Sequence, residues 1–269
     1  MIKANFHTHT VYCDGKNSPE EMVQAAIELG MTAIGFSGHS YSVTETYGMN
    51  PEACAEYRRE VLRLKEKYIG QIEIYLGIEQ DSLCAAPDYD YEYLIGAVHA
   101  FFKDGHYICV DHSAADMVRN VETYYGGDYY AYAEHYYQVL TDTVLKYDPT
   151  FIAHFDLVTK FNEGGKYFDE SHPRYQKAAL GALHELVKAG KPFEINTGAI
   201  SRGYRVTPYP APFILKELHD LGGKIILSGD THACDGLLCG YEMATQLAKD
   251  CGFETAMVIT GDGLKEVDL

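Results

Sequence analysis

Residues 18–40 read SPEEMVQAAIELGMTAIGFSGHS, and the way this stretch folds locally decides the class of the whole chain. Ser18 is placed to cap a helix, Pro19 suits its first position, and Glu20 and Glu21 sit at the positive end of its dipole. Gly30 follows the last turn. Residues 32–37 then read as a buried strand that ends in S-G-H. A helix that leads directly into a strand is half of a parallel β-α-β unit, because parallel strands need a crossover between them.

The same alternation extends in both directions. Residues 2–6 read as the preceding strand. Beyond residue 40 the patterning predicts a helix over 51–68, strands over 72–78 and 93–98, a helix over 129–146, and strands over 151–153, 192–195 and 224–227. Helices over 173–189 and 212–221 separate the later strands, and a helix over 237–251 and a strand over 255–259 finish the chain. Seven or eight strands in this arrangement fit a closed or nearly closed α/β barrel better than a small open sheet. No Pro/Gly/Ser-rich linker or repeat interrupts them, so residues 1–269 are expected to form a single domain. The stretch from about 81 to 130, containing PDYDYEY and TYYGGDYY, reads as a solvated loop set with partly buried tyrosines over one face of the barrel.

Composition narrows the function. The chain has 269 residues, 46% of them hydrophobic, and a formal net charge of −17. A surface this acidic repels nucleic-acid phosphates, so no long nucleic acid is expected as a partner. No apolar run approaches the ~20 residues of a membrane span. Seven cysteines without a C-x-x-C pair, and an opening MIKANF without a charged-then-apolar leader, fit a reducing cytoplasm.

The first seven predicted strands each end in a residue that can bind a metal: F-H-T-H, S-G-H, G-I-E, A-V-H, A-H-F-D, E-I-N and S-G-D-T-H. In a parallel barrel these ends share one rim, where barrel active sites lie. His7 and His9 are two apart on an extended segment, so both project to one face. Asp14 follows in a turn, and His39, Glu79, His99, His154, Asp230 and His232 complete the set. Six imidazoles and three carboxylates on one rim, without a cation, would stack like charges and unsatisfied polar groups. Their mixture suits zinc, manganese or iron, and the number suffices for three divalent ions. Three dications would make this rim locally positive in an acidic protein and draw a phosphate to it. His106, His112, His135, His184 and His219 read as structural or solvent-facing. His172 is left open.

The segments HTHTVYCDG at 7–15, the opening 18–40 stretch, GIEQD at 77–81, YLIGAVHA at 93–100, FIAHFDLVTKF at 151–161, FEINTGAISRG at 193–203 and SGDTHACDGL at 228–237 resemble, in that order, the PHP superfamily. Within it they look most like the monofunctional histidinol-phosphatase branch. The resemblance implies a distorted (β/α)7 barrel of PHP type, TIM-like, with a trinuclear site. It implies that His7, His9, Glu79 and Asp230 hold one ion, that a bridging Glu79 with His99 and His154 holds a second, and that Asp14, His39 and His232 hold the third. It also implies that a basic residue after the AHFDL segment and an arginine after EINTG contact phosphate; here these are Lys160 and Arg202, with Arg205 a nearby alternative.

The function expected on this basis is that of a phosphoric monoester hydrolase of histidine biosynthesis, cleaving L-histidinol phosphate with a hydroxide that bridges the Glu79-linked metals. Another phosphoester of the same superfamily (a nucleotide, an oligonucleotide end or phosphotyrosine) is the alternative substrate, and a non-catalytic metal-binding barrel the alternative class.

Overall fold

The computed structural model describes residues 2–44 and 46–269. The first helix, α1 (Pro19–Glu28), begins as its sequence dictates: Ser18 Oγ accepts the Glu21 N–H at 3.3 Å while Glu21 Oε2 accepts the Ser18 N–H at 2.8 Å. The reciprocal pair satisfies two donors that a helix start otherwise leaves exposed. α1 connects β1 (Ala4–Asn5) to β2 (Ala33–Phe36). α2 (Pro51–Lys67), capped by Asn50, leads to β3 (Glu73–Asp81) and then β4 (Tyr93–Ala97).

A hairpin of β5 (Ala100–Lys103) and β6 (His106–Cys109) and two helices, α3 (Ala114–Tyr125) and α4 (Tyr129–Tyr147), follow. The chain then returns to the sheet with β7 (Phe151–Ile152), α5 (Pro173–Val187), β8 (Phe193–Asn196), the short α6 (Gly198–Ser201), α7 (Pro212–Asp220) and β9 (Ile225–Ser228). α8 (Tyr241–Asp250), β10 (Thr255–Thr260) and β11 (Gly263–Asp268) complete it.

Seven parallel strands run in the order β1-β2-β3-β4-β7-β8-β9. No ladder joins β1 to β9 among the described residues, and the two ends of the sheet meet at the rim. There Thr8 and Thr231 form a parallel bridge, with the His9 N–H donating to Thr231 O at 2.8 Å and the Thr231 N–H to His7 O at 3.0 Å. This is a nearly closed α/β barrel of the kind the alternation predicts, and its seven parallel strands match the distorted (β/α)7 barrel that the resemblance implies. β10 joins β9 in parallel at Met257 and Ile226, and β11 pairs antiparallel with β10.

Side chains fill the interior, as in other small barrels. Tyr93 is fully buried and donates its hydroxyl to Phe36 O at 2.8 Å. Its ring occupies the space beside Gly35 and Gly77, where a methyl group on either glycine would overlap it. These two strand positions must therefore lack a Cβ.

Two expectations need correction. The 81–130 stretch is not a loop set. Asp104 and Gly105, with φ of 50° and 79°, make the turn of the β5–β6 hairpin, the Asp-Gly chemistry that favours tight hairpins. Ser113 caps α3, and Gly126 ends it in the left-handed region. The final helix starts at Tyr241 rather than 237 because residues 234–236 form a 3-10 turn and Gly240 takes a φ of 78° just before it.

Asn5 ties the closure together. Its Nδ2 donates to Thr231 Oγ1 at 3.0 Å and Leu237 O at 3.1 Å, and its Oδ1 accepts the N–H groups of His7 and Gly229 at 3.1 and 3.0 Å. The residue is fully buried, so truncation strands several polar groups without water. Asn5→Ala is expected to cost about 3 kcal/mol or more of unfolding free energy, measured by urea denaturation; a loss below about 1 kcal/mol would contradict this role for the closure.

Candidate metal centre

Each strand delivers its polar residue at or just past its C-terminal end. His7 and His9 continue β1, His39 follows β2, Glu79 lies in β3, His99 follows β4, His154 follows β7, and Asp230 and His232 follow β9. His39 and Glu79 face each other in a parallel bridge beyond the β2–β3 ladder. All nine predicted residues come together. Glu79 is the hub. Its Oε1 lies 3.3 Å from His7 Nε2, 3.5 Å from His99 Nε2 and 3.1 Å from His154 Nε2, and its Oε2 lies 3.5 Å from His9 Nε2 and 2.9 Å from His39 Nδ1.

Asp230 Oδ1 approaches His7 and His9 at 3.8 and 3.4 Å. At the mouth, Asp14 meets His9 and His39 at 3.6 Å and His232 at 3.2 Å. Four overlapping groups have ligand atoms within 4.8 Å of one another: His7, His9 and Asp230; His7, Glu79 and His154; His39, Glu79 and His99; and His9, Asp14, His39 and His232. His7, His9 and His39 each fall in two groups, so the geometry alone shares imidazoles more widely than the ligand assignment the resemblance implies.

The donor set fits divalent cations. Among the described residues His7 Nε2, His9 Nε2, His39 Nδ1 and Glu79 Oε2 are buried without a well-aligned hydrogen bond, even where His39 Nδ1 and Glu79 Oε2 approach each other at 2.9 Å, a cost that a folded protein rarely leaves uncompensated. Two ligands about 2.1 Å from one ion stand roughly 3–3.5 Å apart, close to the spacings around Glu79.

The surrounding groups orient the rings. Glu194 Oε1 lies 2.6 Å from His7 Nδ1, and its Oε2 accepts the His154 N–H at 2.7 Å and Asn196 Nδ2 at 2.8 Å. Ser228 also donates to it. Asp81 Oδ2 lies 2.8 Å from His99 Nδ1. Such partners turn the other ring nitrogen toward the centre. Sequence reading did not single out Glu194 or Asp81 as site residues, although a glutamate inside the buried run F-E-I-N carried the signal.

Beside the centre opens a cleft of about 630 Å³, lined by His99, His154, Lys160, Arg202, Tyr204 and Asp111 among others. Lys160 is buried and donates from Nζ to Asp111 O at 2.9 Å and Asp111 Oδ2 at 3.1 Å. Arg202 holds Asp230 Oδ2 at 2.9 Å from Nη2, and its Nη1 lies 2.6 Å from His232 Nδ1. Arg205 points elsewhere. It is buried against Thr159, with its guanidinium over the Tyr209 ring, and takes no part in the cleft wall.

His112, expected to be structural or solvent-facing, is exposed but lines the cleft mouth with Tyr107 and Asp116. His172 caps α5 and stacks on Tyr130 at 4.0 Å, away from the centre. His135, His184 and His219 lie on helices, as expected.

The PHP domain family matches residues 5–198. The histidinol-phosphatase of Bacillus subtilis is 25% identical over 267 residues, covering 90% of this chain and 98% of that protein. A histidinol phosphate phosphatase from Lactococcus lactis, solved with zinc, L-histidinol and phosphate, superposes with a TM-score of 0.72 at 21% identity over 98% of each chain. A Listeria monocytogenes structure provisionally assigned the same activity gives 0.76 at 22% identity, covering 90% of this chain and 99% of that one. At these identities the two structures establish the likeness of fold.

Without metal the centre should titrate distinctively. Burial opposes an imidazolium at His99, but Glu79 and Asp81 outweigh it and raise the ring from 6.5 to about 9. His7 and His39 are raised in the same way, against burial, by their carboxylates, whereas burial and the neighbouring His232 and His39 push His9 down to about 3. A raised imidazole contributes stability that is complete below its unfolded value and lost as pH climbs through its folded one. The melting temperature of chelator-treated protein is therefore expected to fall from pH 6.5 towards 9, and added zinc to restore it. A chelated melting curve that is flat over that window would overturn this reading of the charges.

Proposed function

The chain belongs to the PHP domain family, and from that premise we propose that it is a metal-dependent phosphomonoesterase that hydrolyses L-histidinol phosphate to L-histidinol and phosphate. The carrying observation is a set of buried imidazole and carboxylate atoms around Glu79, without well-aligned hydrogen bonds among the described residues, that opens onto a cleft walled by Lys160 and Arg202. The substrate is suggested by the names borne by the Bacillus subtilis and Lactococcus lactis relatives.

In this reading three divalent transition-metal ions, zinc, manganese or iron, are held by His7, His9, Glu79 and Asp230, by Glu79, His99 and His154, and by Asp14, His39 and His232. When bound, they supply Lewis acidity toward phosphoryl oxygens and activate water near neutral pH. Glu194 and Asp81 fix the orientation of His7 and His99. Lys160 offers a hydrogen-bonded ammonium on the cleft wall, and Arg202 steadies Asp230 while adding positive charge next to it. These two cations neutralise phosphoryl charge that grows in the transition state. No side-chain nucleophile is needed.

We read residues 1–269 as one PHP unit, since the sheet returns from β9 to the β1 rim. Among the described residues no helix is long and apolar enough to cross a membrane. The cysteines are all free, which supports a reducing cytoplasm as its location.

The test is phosphate release by protein reloaded with zinc, manganese or iron, using L-histidinol phosphate beside p-nitrophenyl phosphate, a mononucleotide and phosphotyrosine. Histidinol phosphate is expected to have the highest kcat/KM. Equal turnover of all the esters would remove that substrate, and no turnover with any metal would remove the enzyme. Glu79→Gln is expected to lower kcat about a thousandfold, some 4 kcal/mol of barrier. Activity should also decline below about pH 6.5, where protons compete with the ions for imidazole.

A further inference from the structure

Four carboxylates line the cleft: Asp14, Asp111, Asp116 and Asp230. Asp14 and Asp230 face the imidazoles of the centre, and Asp230 also holds Arg202. Asp116 is occupied by Ser113, His112 and Arg119. Asp111, two residues past the end of β6, differs from all three. Its Oδ2 receives Lys160 at 3.1 Å, whereas among the described residues its Oδ1 receives only the Cys109 thiol at 3.7 Å. A thiol is a weak donor, and an ionised carboxylate has room for about four hydrogen bonds.

We infer that Asp111 is a specificity-determining residue of the cleft, whose carboxylate receives the ammonium of phosphomonoesters bearing an amine on the carbon next to the ester carbon. This rests on the phosphatase reading above and deepens it.

Charge arrangement carries the argument. Lys160 and Arg202 give the cleft wall the charge that attracts a phosphoryl group. Asp111 adjoins Lys160, with opposite charges 3.1 Å apart. For a plain phosphate ester a carboxylate at this position only repels. An ester with an ammonium joined to its phosphoryl group through two carbons and an oxygen straddles the pair, with phosphate toward Lys160 and ammonium toward Asp111. Such a residue selects by rejecting the wrong ligand as much as by holding the right one. Burial opposes the charge on this carboxylate, and the adjoining Lys160 ammonium favours it.

The simpler role for Asp111, a staple that only holds Lys160 in place, makes a different prediction. Losing a staple harms every ester alike. Losing an ammonium acceptor harms the amine-bearing ester selectively.

The experiment uses metal-loaded, full-length wild type and Asp111→Asn, with L-histidinol phosphate and its des-amino analogue, 3-(imidazol-4-yl)propyl phosphate. The ratio of their kcat/KM values is expected to fall about ten- to a hundredfold in the variant. An unchanged ratio, with or without parallel loss on both esters, overturns the proposal. In parallel, calorimetry measures binding of L-histidinol and of the des-amino alcohol to wild type, Asp111→Asn and Asp111→Glu. The wild type is expected to prefer the amine, Asp111→Asn to lose that preference and Asp111→Glu to keep part of it. Equal binding of the two alcohols by the wild type overturns the proposal even if Asp111→Asn does not fold. If the wild type hydrolyses neither ester, the phosphatase reading fails on its own, and the alcohol-binding preference still decides the role of Asp111.

Discussion

Glu79 has no solvent exposure in its side chain, yet its carboxylate lies within 3.5 Å of five imidazoles from four different segments. An isolated charge so buried would be driven to neutrality. Here burial would raise its pKa, but His7, His99 and His39 hold it well below the usual carboxylate range. The rest of the molecule answers to that constraint. The β1, β2, β4 and β7 ends must all aim at a point next to β3, and a parallel sheet in which these strands flank β3 brings together segments so distant in sequence. Behind the imidazoles, Glu194 and Asp81 supply further negative charge, so the interior of an already acidic protein is organised around anions that call for cations between them.

The cleft reverses that sign on one side only. Lys160 is buried among protein partners, with its ammonium also 4.7 Å from the centre of the Tyr204 ring. A lysine fixed in this way loses little further freedom when it engages a ligand. The β5–β6 hairpin, an insertion between two barrel strands and outside the barrel sheet, leads into Asp111, which sets a carboxylate against Lys160 at the cleft wall.

Local rules made the scaffold legible. Ser18, Pro19 and Gly30 marked α1, and the strands could be placed because apolar runs alternated with helical periods. The nine ligand candidates were legible for a related reason: eight of them stand at or beyond a strand end, a position that barrel topology converts into proximity, while Asp14 stood in the Y-C-D-G turn that follows β1. What sequence could not give was partnership across the ring. His7 meets Glu194 across 187 positions, and Lys160 meets Asp111 across 49; neither spacing follows a helical or strand period. The β5–β6 hairpin and α3 were missed for a different reason. Their turn and cap signals, Asp104-Gly105, Ser113 and Gly126, lay within a tyrosine- and aspartate-rich composition that reads as loop.

The bridge between Thr8 and Thr231 gives synthesis a direction. Residues 7 and 9 leave the ribosome early, but the strand extension that secures them arrives more than two hundred positions later. Contacts of such long sequence separation form slowly and late. Until that seam is zipped, β1 is held by β2 on one side only, and the cation-binding pocket is completed by the joining of distant segments rather than being a seed from which the fold grows.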